Sequence, residues 1–220
     1  LEEAASLFSM QKTTIIRRLL EPGVIAIIRA DSSDQLIEAA EALYAGGVTA
    51  MEVTMTTPNA LQVVGDVAVR FGRKVLIGVG SVLDPETCRA AILAGAEFIV
   101  TPVTKPEVIR LANRYGKPIL SGAFTPTEML MAHESGADFI KLFPADSVGP
   151  GYIKNVLAPL PMLQIIPTGG VTPETAKGFL DAGSVALAAG SGLVSKEILK
   201  KRDWAGLRAR AEAYVAAVKG

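Results

Sequence analysis

Apolar residues fall along this chain in short blocks of four to six, each interrupted by Gly, Pro or charge. The blocks run Val24–Arg29, Ala50–Met55, Leu76–Ser81, Phe98–Pro102, Pro118–Gly122, Phe139–Pro144, Gln164–Gly169 and Val185–Ser191. Unbroken apolarity over so few residues predicts strands buried on both faces. The segments between them, such as Gln35–Ala45 and Glu86–Ala94, instead show helical spacing. Eight strands alternating with helices imply right-handed βαβ crossovers and a parallel sheet.

The boundaries repeat as well. Thr57-Pro58, Asp84-Pro85, Thr125-Pro126 and Thr172-Pro173 each pair a capping side chain with a proline suited to the first helical position. Thr125 and Glu128 have the spacing of a capping box. Gly46 (in Ala45-Gly46-Gly47), Gly95, Gly136 and Gly183 mark helix ends 41 to 49 residues apart, about two β/α units each. Eight units in 220 residues predict an α/β fold, a (β/α)8 TIM barrel, as one domain over 1–220. An open doubly wound sheet is the alternative, but no G-x-G-x-x-G opens the first βα turn. The stretch up to Leu20, apolar at Ala4, Leu7, Phe8, Ile15, Ile16 and Leu19, predicts an N-terminal helix packed under the barrel or against a partner subunit.

Composition narrows the function more than the fold. Lys+Arg and Asp+Glu both number 22, a balance unlike that of a protein built to coat nucleic acid or an acidic membrane. Mean hydropathy is +0.36, yet no apolar run approaches the roughly 18 residues of a membrane span. The Leu-Glu-Glu start lacks the features of a secretory signal, so a cytoplasmic setting is expected. One cysteine, Cys88, and one histidine, His133, argue against a disulfide framework and a multi-Cys or multi-His metal site. Both lie in helical stretches; Cys88 is expected to be an inert, half-buried thiol and His133 an exposed helix residue. Trp204 and Tyr214 are expected to anchor the last helix.

Three charges interrupt the apolar strands: Arg29 ends VIAIIR, Glu52 sits in AMEVTM and Lys141 in FIKLFP. In barrels of this kind chemistry gathers at the C-terminal strand ends. A buried, uncompensated lysine is costly as an ammonium and loses its proton readily, which suits a nucleophilic amine. The bland alternative is a Lys–Glu ion pair that only supports the barrel. Thr168-Gly169-Gly170 ends the seventh block and Ala189-Gly190-Ser191 the eighth. Glycines there let backbone N–H groups approach a phosphate, and these two loops form the usual phosphate site of the fold.

In this order, EVT (Glu52–Thr54), GVGSVL (Gly78–Leu83), FIVTP (Phe98–Pro102), KLFPA (Lys141–Ala145), PTGGV (Pro167–Val171) and Gly190-Ser191 resemble the 2-keto-3-deoxy-6-phosphogluconate aldolase/4-hydroxy-2-oxoglutarate aldolase family. The resemblance runs from about Gly23 to Lys219. It implies a class I aldolase that needs no metal or other cofactor. Lys141 would form the Schiff base and Glu52 would act as general acid/base. Arg29, Ser81, Thr101, Pro102, Phe143 and Thr168 would hold the substrate, and Gly169, Gly170, Gly190 and Ser191 its phosphate. The partners implied are a phosphorylated 2-keto acid, pyruvate and further copies of the chain in a homotrimer.

Some relatives carry arginine where this chain has Thr56, which leaves Arg29 as the remaining strand cation and the group expected on the substrate carboxylate. Ser81 stands for the commoner threonine, and Ser121 for a proline. Two other readings compete: a phosphosugar epimerase or synthase on the same barrel, and an inactive phosphosugar-binding scaffold. The first leaves Lys141 unexplained; intact Glu52 and Lys141 argue against the second.

Overall fold

The computed structural model describes residues 10–220. Helix α1 (Lys12–Leu20) leads into β1 (Val24–Ile28), α2 (Ser33–Ala45), β2 (Ala50–Thr54) and α3 (Ala60–Phe71). Next come β3 (Leu76–Gly80), α4 (Pro85–Leu93), β4 (Phe98–Val100), α5 (Pro106–Arg114), β5 (Ile119–Ala123) and α6 (Pro126–Glu134). After β6 (Phe139–Leu142) a 3-10 turn (Ala145–Ser147) precedes α7 (Gly149–Leu157), β7 (Ile165–Pro167) and α8 (Pro173–Asp181). Strand β8 (Leu187–Ala189) and helices α9 (Lys196–Lys201) and α10 (Trp204–Lys219) finish the chain.

The eight strands pair in parallel in the order β7-β6-β5-β4-β3-β2-β1-β8. A bridge between Thr168 and Ala188 joins the two ends, so the sheet closes into the expected (β/α)8 barrel. Alternation along each strand sorts the side chains into two layers. Ile25, Ile27, Ala50, Leu76, Phe98, Val100, Leu120, Phe139, Ile166 and Ala188 fill the interior. Val24, Met51, Val53, Ile77, Val79, Ile99, Ile140 and Leu187 pack outward beneath the helices. Both faces are therefore apolar, which is why no period of two is visible in the sequence.

Ile15 and Leu19 of α1 belong to the interior cluster and plug the barrel from below. The N-terminal helix thus packs under the barrel; Ala4, Leu7 and Phe8 lie outside the described residues.

Three of the four expected helix starts hold. Asp84, Thr125 and Thr172 each accept the N–H three residues on, with Pro at the first position. Thr125 and Glu128 complete a capping box. The exception is Thr57-Pro58. Thr57 N–H turns back to the Thr54 carbonyl, and α3 starts only after Asn59, whose φ of 53° is left-handed. At the end of α2 the left-handed glycine is Gly47 (φ 89°), not Gly46. A β-carbon on Gly46 would instead press on Ala211 of α10, so that glycine serves helix packing.

Tyr214 anchors α10 as expected. It is 1% exposed, and its hydroxyl donates to the Val171 carbonyl at 2.7 Å, in the loop after β7. Burial pushes its phenol up to about 12. Trp204 packs partly buried against the same outer core. Cys88 is more enclosed than expected. It is completely buried in α4, and burial, with Asp84 adding a smaller effect, raises its thiol to about 12. Native protein at pH 8 is therefore expected to leave a thiol-exchange reagent such as dithiobis(nitrobenzoate) unreacted over minutes, and to release one equivalent of chromophore once unfolded in guanidinium. Rapid labelling of the native state would contradict this enclosure.

Candidate active site

Parity carries the polar exceptions inward. Glu52 and Thr54 share a face with Ala50; Lys141 follows Phe139, and Thr168 follows Ile166. All lie toward the C-terminal end of the barrel, above the apolar interior. Glu52 stands between Ile27 of β1 and Gly78 of β3, and Lys141 between Gly122 of β5 and Ile166 of β7.

The inward positions around them are small. A β-carbon on Gly80 would overlap the Glu52 carboxylate, and one on Gly122 would overlap the Pro102 backbone. Glycine at these positions makes room for the carboxylate and for the loop that crosses the mouth. Below this level Phe98 occupies the space over Gly78. The barrel is packed with apolar side chains to its middle, and its inward-facing charges sit above that layer.

Glu52 is 2% exposed and Lys141 7% exposed. Among the described residues neither forms a side-chain hydrogen bond or an ion pair, so the bland Lys–Glu support does not exist. The contrast with Lys117 is instructive. That lysine, 6% exposed at the opposite end of the barrel, is paired to Glu97 at 2.9 Å. Lys12 likewise meets Asp138 at 2.8 Å, and Asp138 accepts the Ile119 N–H. The chain satisfies its buried charges where they are structural and leaves them unpaired at the C-terminal mouth. Unpaired buried charge is costly to folding and marks a site kept for another purpose. The one partner of Lys141 is the Phe143 ring, whose centroid lies 5.4 Å from Nζ. Phe143 is 40% exposed and leads into Pro144 through a cis peptide bond.

The other expected residues ring this pair. Thr168 Oγ1 is buried without a protein partner, on the inward face of the β7 end. Its backbone N–H donates to Leu142 and its carbonyl accepts from Ala145 N–H, which ties the β7 exit to the loop after Lys141. Ser81, half-buried at the exit of β3, has φ of 63°, an uncommon conformation for a non-glycine residue. Thr101 is wholly buried, and its hydroxyl accepts the Gly122 N–H at 3.1 Å. Gly169 (φ 99°) and Gly170 (φ 65°) turn the chain after β7, with the Asp146 side chain against them. On the neighbouring strand, Gly190 and Ser191 follow β8.

Arg29 lies one residue beyond β1 and is exposed; its Nη1 is 4.0 Å from where a Gly190 β-carbon would stand. Thr54 and Thr56 share a hydrogen bond of 2.8 Å at the end of β2. Ser121 does not join the site. It shares parity with Ile119 and Ala123 and points into the helix layer, so the residue of β5 that shapes the mouth is Gly122. Sequence reasoning missed the part played by Gly80, which it quoted only as a motif letter, and the closeness of Asp146 to the glycine turn.

A closed barrel with an unpaired lysine and carboxylate at its C-terminal mouth is an arrangement suited to lysine-based chemistry in a barrel enzyme. Residues 15–209 match the family described as KDPG and KHG aldolase, and the chain belongs to it. It is 35% identical to a 2-dehydro-3-deoxy-phosphogluconate aldolase of Pseudomonas aeruginosa, over 89% of each chain. It is 38% identical to a 2-dehydro-3-deoxy-6-phosphogalactonate aldolase of Escherichia coli K12, over 77% of this chain and 83% of the other. The structure of a Legionella pneumophila KDPG aldolase, holding pyruvate as a covalent carbinolamine, superposes with a TM-score of 0.82 at 27% identity, over 88% of this chain and 97% of that one. The chain is a lyase of the class I aldolase type. No helix among the described residues is long and apolar enough to cross a membrane.

Proposed function

We propose that this chain cleaves 2-keto-3-deoxy-6-phosphogluconate to pyruvate and glyceraldehyde 3-phosphate, and 4-hydroxy-2-oxoglutarate to pyruvate and glyoxylate, with Lys141 as the nucleophile. The observation that carries the reading is the burial of Lys141 without an ionic partner on the inward face of β6. Its neutral amine attacks the C2 carbonyl, and loss of water from the carbinolamine leaves a protonated imine. Glu52 takes the C4 hydroxyl proton as the C3–C4 bond breaks. The bonding electrons pass into the iminium, giving the enamine of pyruvate while the aldehyde departs. Protonation of the enamine at C3 and hydrolysis of the imine then release pyruvate and restore the amine.

Thr168 Oγ1, which lacks a protein partner, is suited to a substrate oxygen, and the glycine turns after β7 and β8 to the phosphate. The same reading carries a single domain over 1–220, a homotrimer, a cytoplasmic setting and chemistry that needs no metal. The C4-epimeric galactonate is a third substrate to weigh, since the Escherichia coli relative is named for it. Pyruvate release from each compound, followed through lactate dehydrogenase in the presence and absence of EDTA, tests the proposal. Release from the gluconate compound, unchanged by EDTA, is the expected result. No pyruvate from any of the three overturns it.

A further inference from the structure

We infer that Thr101 and Thr104 are positioning residues that clamp Gly122 beside Lys141, and that Thr101 is not the substrate ligand the sequence suggested. The inference rests on the aldolase reading and adds to it the groups that hold one flank of the lysine site. Gly122 of β5 is the register partner of Lys141 on β6. Both positions face inward, since Leu120 and Phe139, two residues before them, belong to the interior cluster. The space a side chain on Gly122 would fill is taken by the exit of β4: a β-carbon there would overlap the Pro102 carbonyl and the Val103 nitrogen. Neighbouring strands lie about 4.8 Å apart, so the Pro102-Val103 peptide stands where the side chain next to Lys141 would be.

Hydroxyls hold that peptide in place. Thr101 N–H makes the last regular bond from β4 to β5, to the Leu120 carbonyl at 3.0 Å. In a parallel ladder the next bond would run from Gly122 N–H to the Thr101 carbonyl. The Thr101 hydroxyl accepts that N–H instead, at 3.1 Å. The main chain can then turn inward over Gly122 without stranding a buried donor. Three residues on, the Thr104 hydroxyl donates to the Gly122 carbonyl at 2.9 Å, with the Glu128 carbonyl sharing the proton at 3.3 Å. Both polar groups of one glycine are thus bound by hydroxyls of the Thr101–Thr104 segment. Val103 is 46% exposed, so apolar packing does little to fix this crossing.

The same geometry removes Thr101 from the list of ligands. It is wholly enclosed and shares its parity with Ile99 of the outer layer, so it reaches the Gly122 backbone and not the substrate. Its effect on the reaction passes through the lysine. Lys141 has no ion pair among the described residues to fix it, so its reach is set by what walls it: the Phe143 ring and the Pro102-Val103 peptide. Attack on a carbonyl depends steeply on such placement.

The test separates placement from both binding and folding. In Thr101→Val, which keeps the shape and removes the acceptor, kcat for cleavage of 2-keto-3-deoxy-6-phosphogluconate is expected to fall about 10- to 100-fold, with KM within about threefold of the parent. The rate at which pyruvate becomes trappable by borohydride should fall by the same factor. Thr101→Ser should recover most of both losses. Thr104→Val, at a half-buried position, should lower kcat in the same way and keeps the test open if Thr101→Val does not fold. A rise in KM with kcat unchanged overturns the inference and returns Thr101 to the substrate. Parental kcat and trapping rate in the folded valine variants, whatever their melting temperatures, reduce the clamp to a structural support and overturn it too. Failure of the underlying aldolase reading registers separately, as absence of any borohydride-trapped pyruvate adduct in the unsubstituted protein.

Discussion

Lys141→Ala is expected to lower kcat for cleavage of 2-keto-3-deoxy-6-phosphogluconate by about 10⁴-fold or more, because the covalent route is lost with the amine. Lys141→Arg should be equally inactive, since a guanidinium stays protonated and offers no nucleophile. Stability should move the other way. Lys141 carries no ion pair among the described residues, so its replacement by alanine strands no charged partner. The alanine variant is therefore expected to melt no lower than the parent. That pairing of a dead enzyme with undiminished stability is the mark of a group kept for chemistry. Incubation with pyruvate, borohydride reduction and peptide mapping should place the adduct on Lys141 in the parent and nowhere in the variant. An adduct persisting in Lys141→Ala, or cleavage within tenfold of the parent, would remove Lys141 from its role.

Glu52→Gln is expected to cost about 10²- to 10⁴-fold in kcat, the range for loss of a positioned general base. Gly80→Ala should imitate it from a neighbouring strand. A β-carbon there would overlap the Glu52 carboxylate, which must swing away from its place over β3. Gly80 is not among the residues with left-handed φ, so alanine can adopt its backbone without strain. The variant should fold and bind, yet lose at least about 100-fold in kcat, because acid–base catalysis requires the carboxylate within hydrogen-bond reach. Far-ultraviolet circular dichroism and steady-state kinetics on the same preparations separate a misplaced base from a misfolded barrel. Parental kcat in Gly80→Ala would show that the position of the carboxylate over Gly80 is immaterial.

Much of the fold was legible because a strand buried on both faces must be apolar at every position, and eight such blocks stand out against helical spacing. Most of their ends were read too long, whereas β5 runs one residue beyond the expected Gly122, to Ala123. Strands β4, β7 and β8 have three residues each; beyond them Thr101-Pro102, Gly169-Gly170 and Gly190-Ser191 build the mouth, and Thr168 is held by an isolated bridge to Ala188. Thr57-Pro58 misled for a related reason: a local cap signal was overruled by a turn that returns to Thr54 and delays the helix. Glu52 and Lys141 could be singled out because charge inside an apolar strand is expensive wherever the strand lies. The small neighbours that make room for them could not, because Gly80 and Gly122 act on side chains and backbone from other strands.

Read alone, the order of residues determined the eight-fold alternation, the strands that carry charge and the glycine turns that follow β7 and β8. Each of these depends on local spacing and on the cost of burying a polar group, and both are written in consecutive residues. Tertiary structure decided the rest: that Lys117 is paired while Lys141 is not, that Ser121 faces the helices, and that Arg29 rises beside Gly190. These turn on which strands become neighbours when the barrel closes, and closure joins residues as distant in sequence as Arg29 and Gly190.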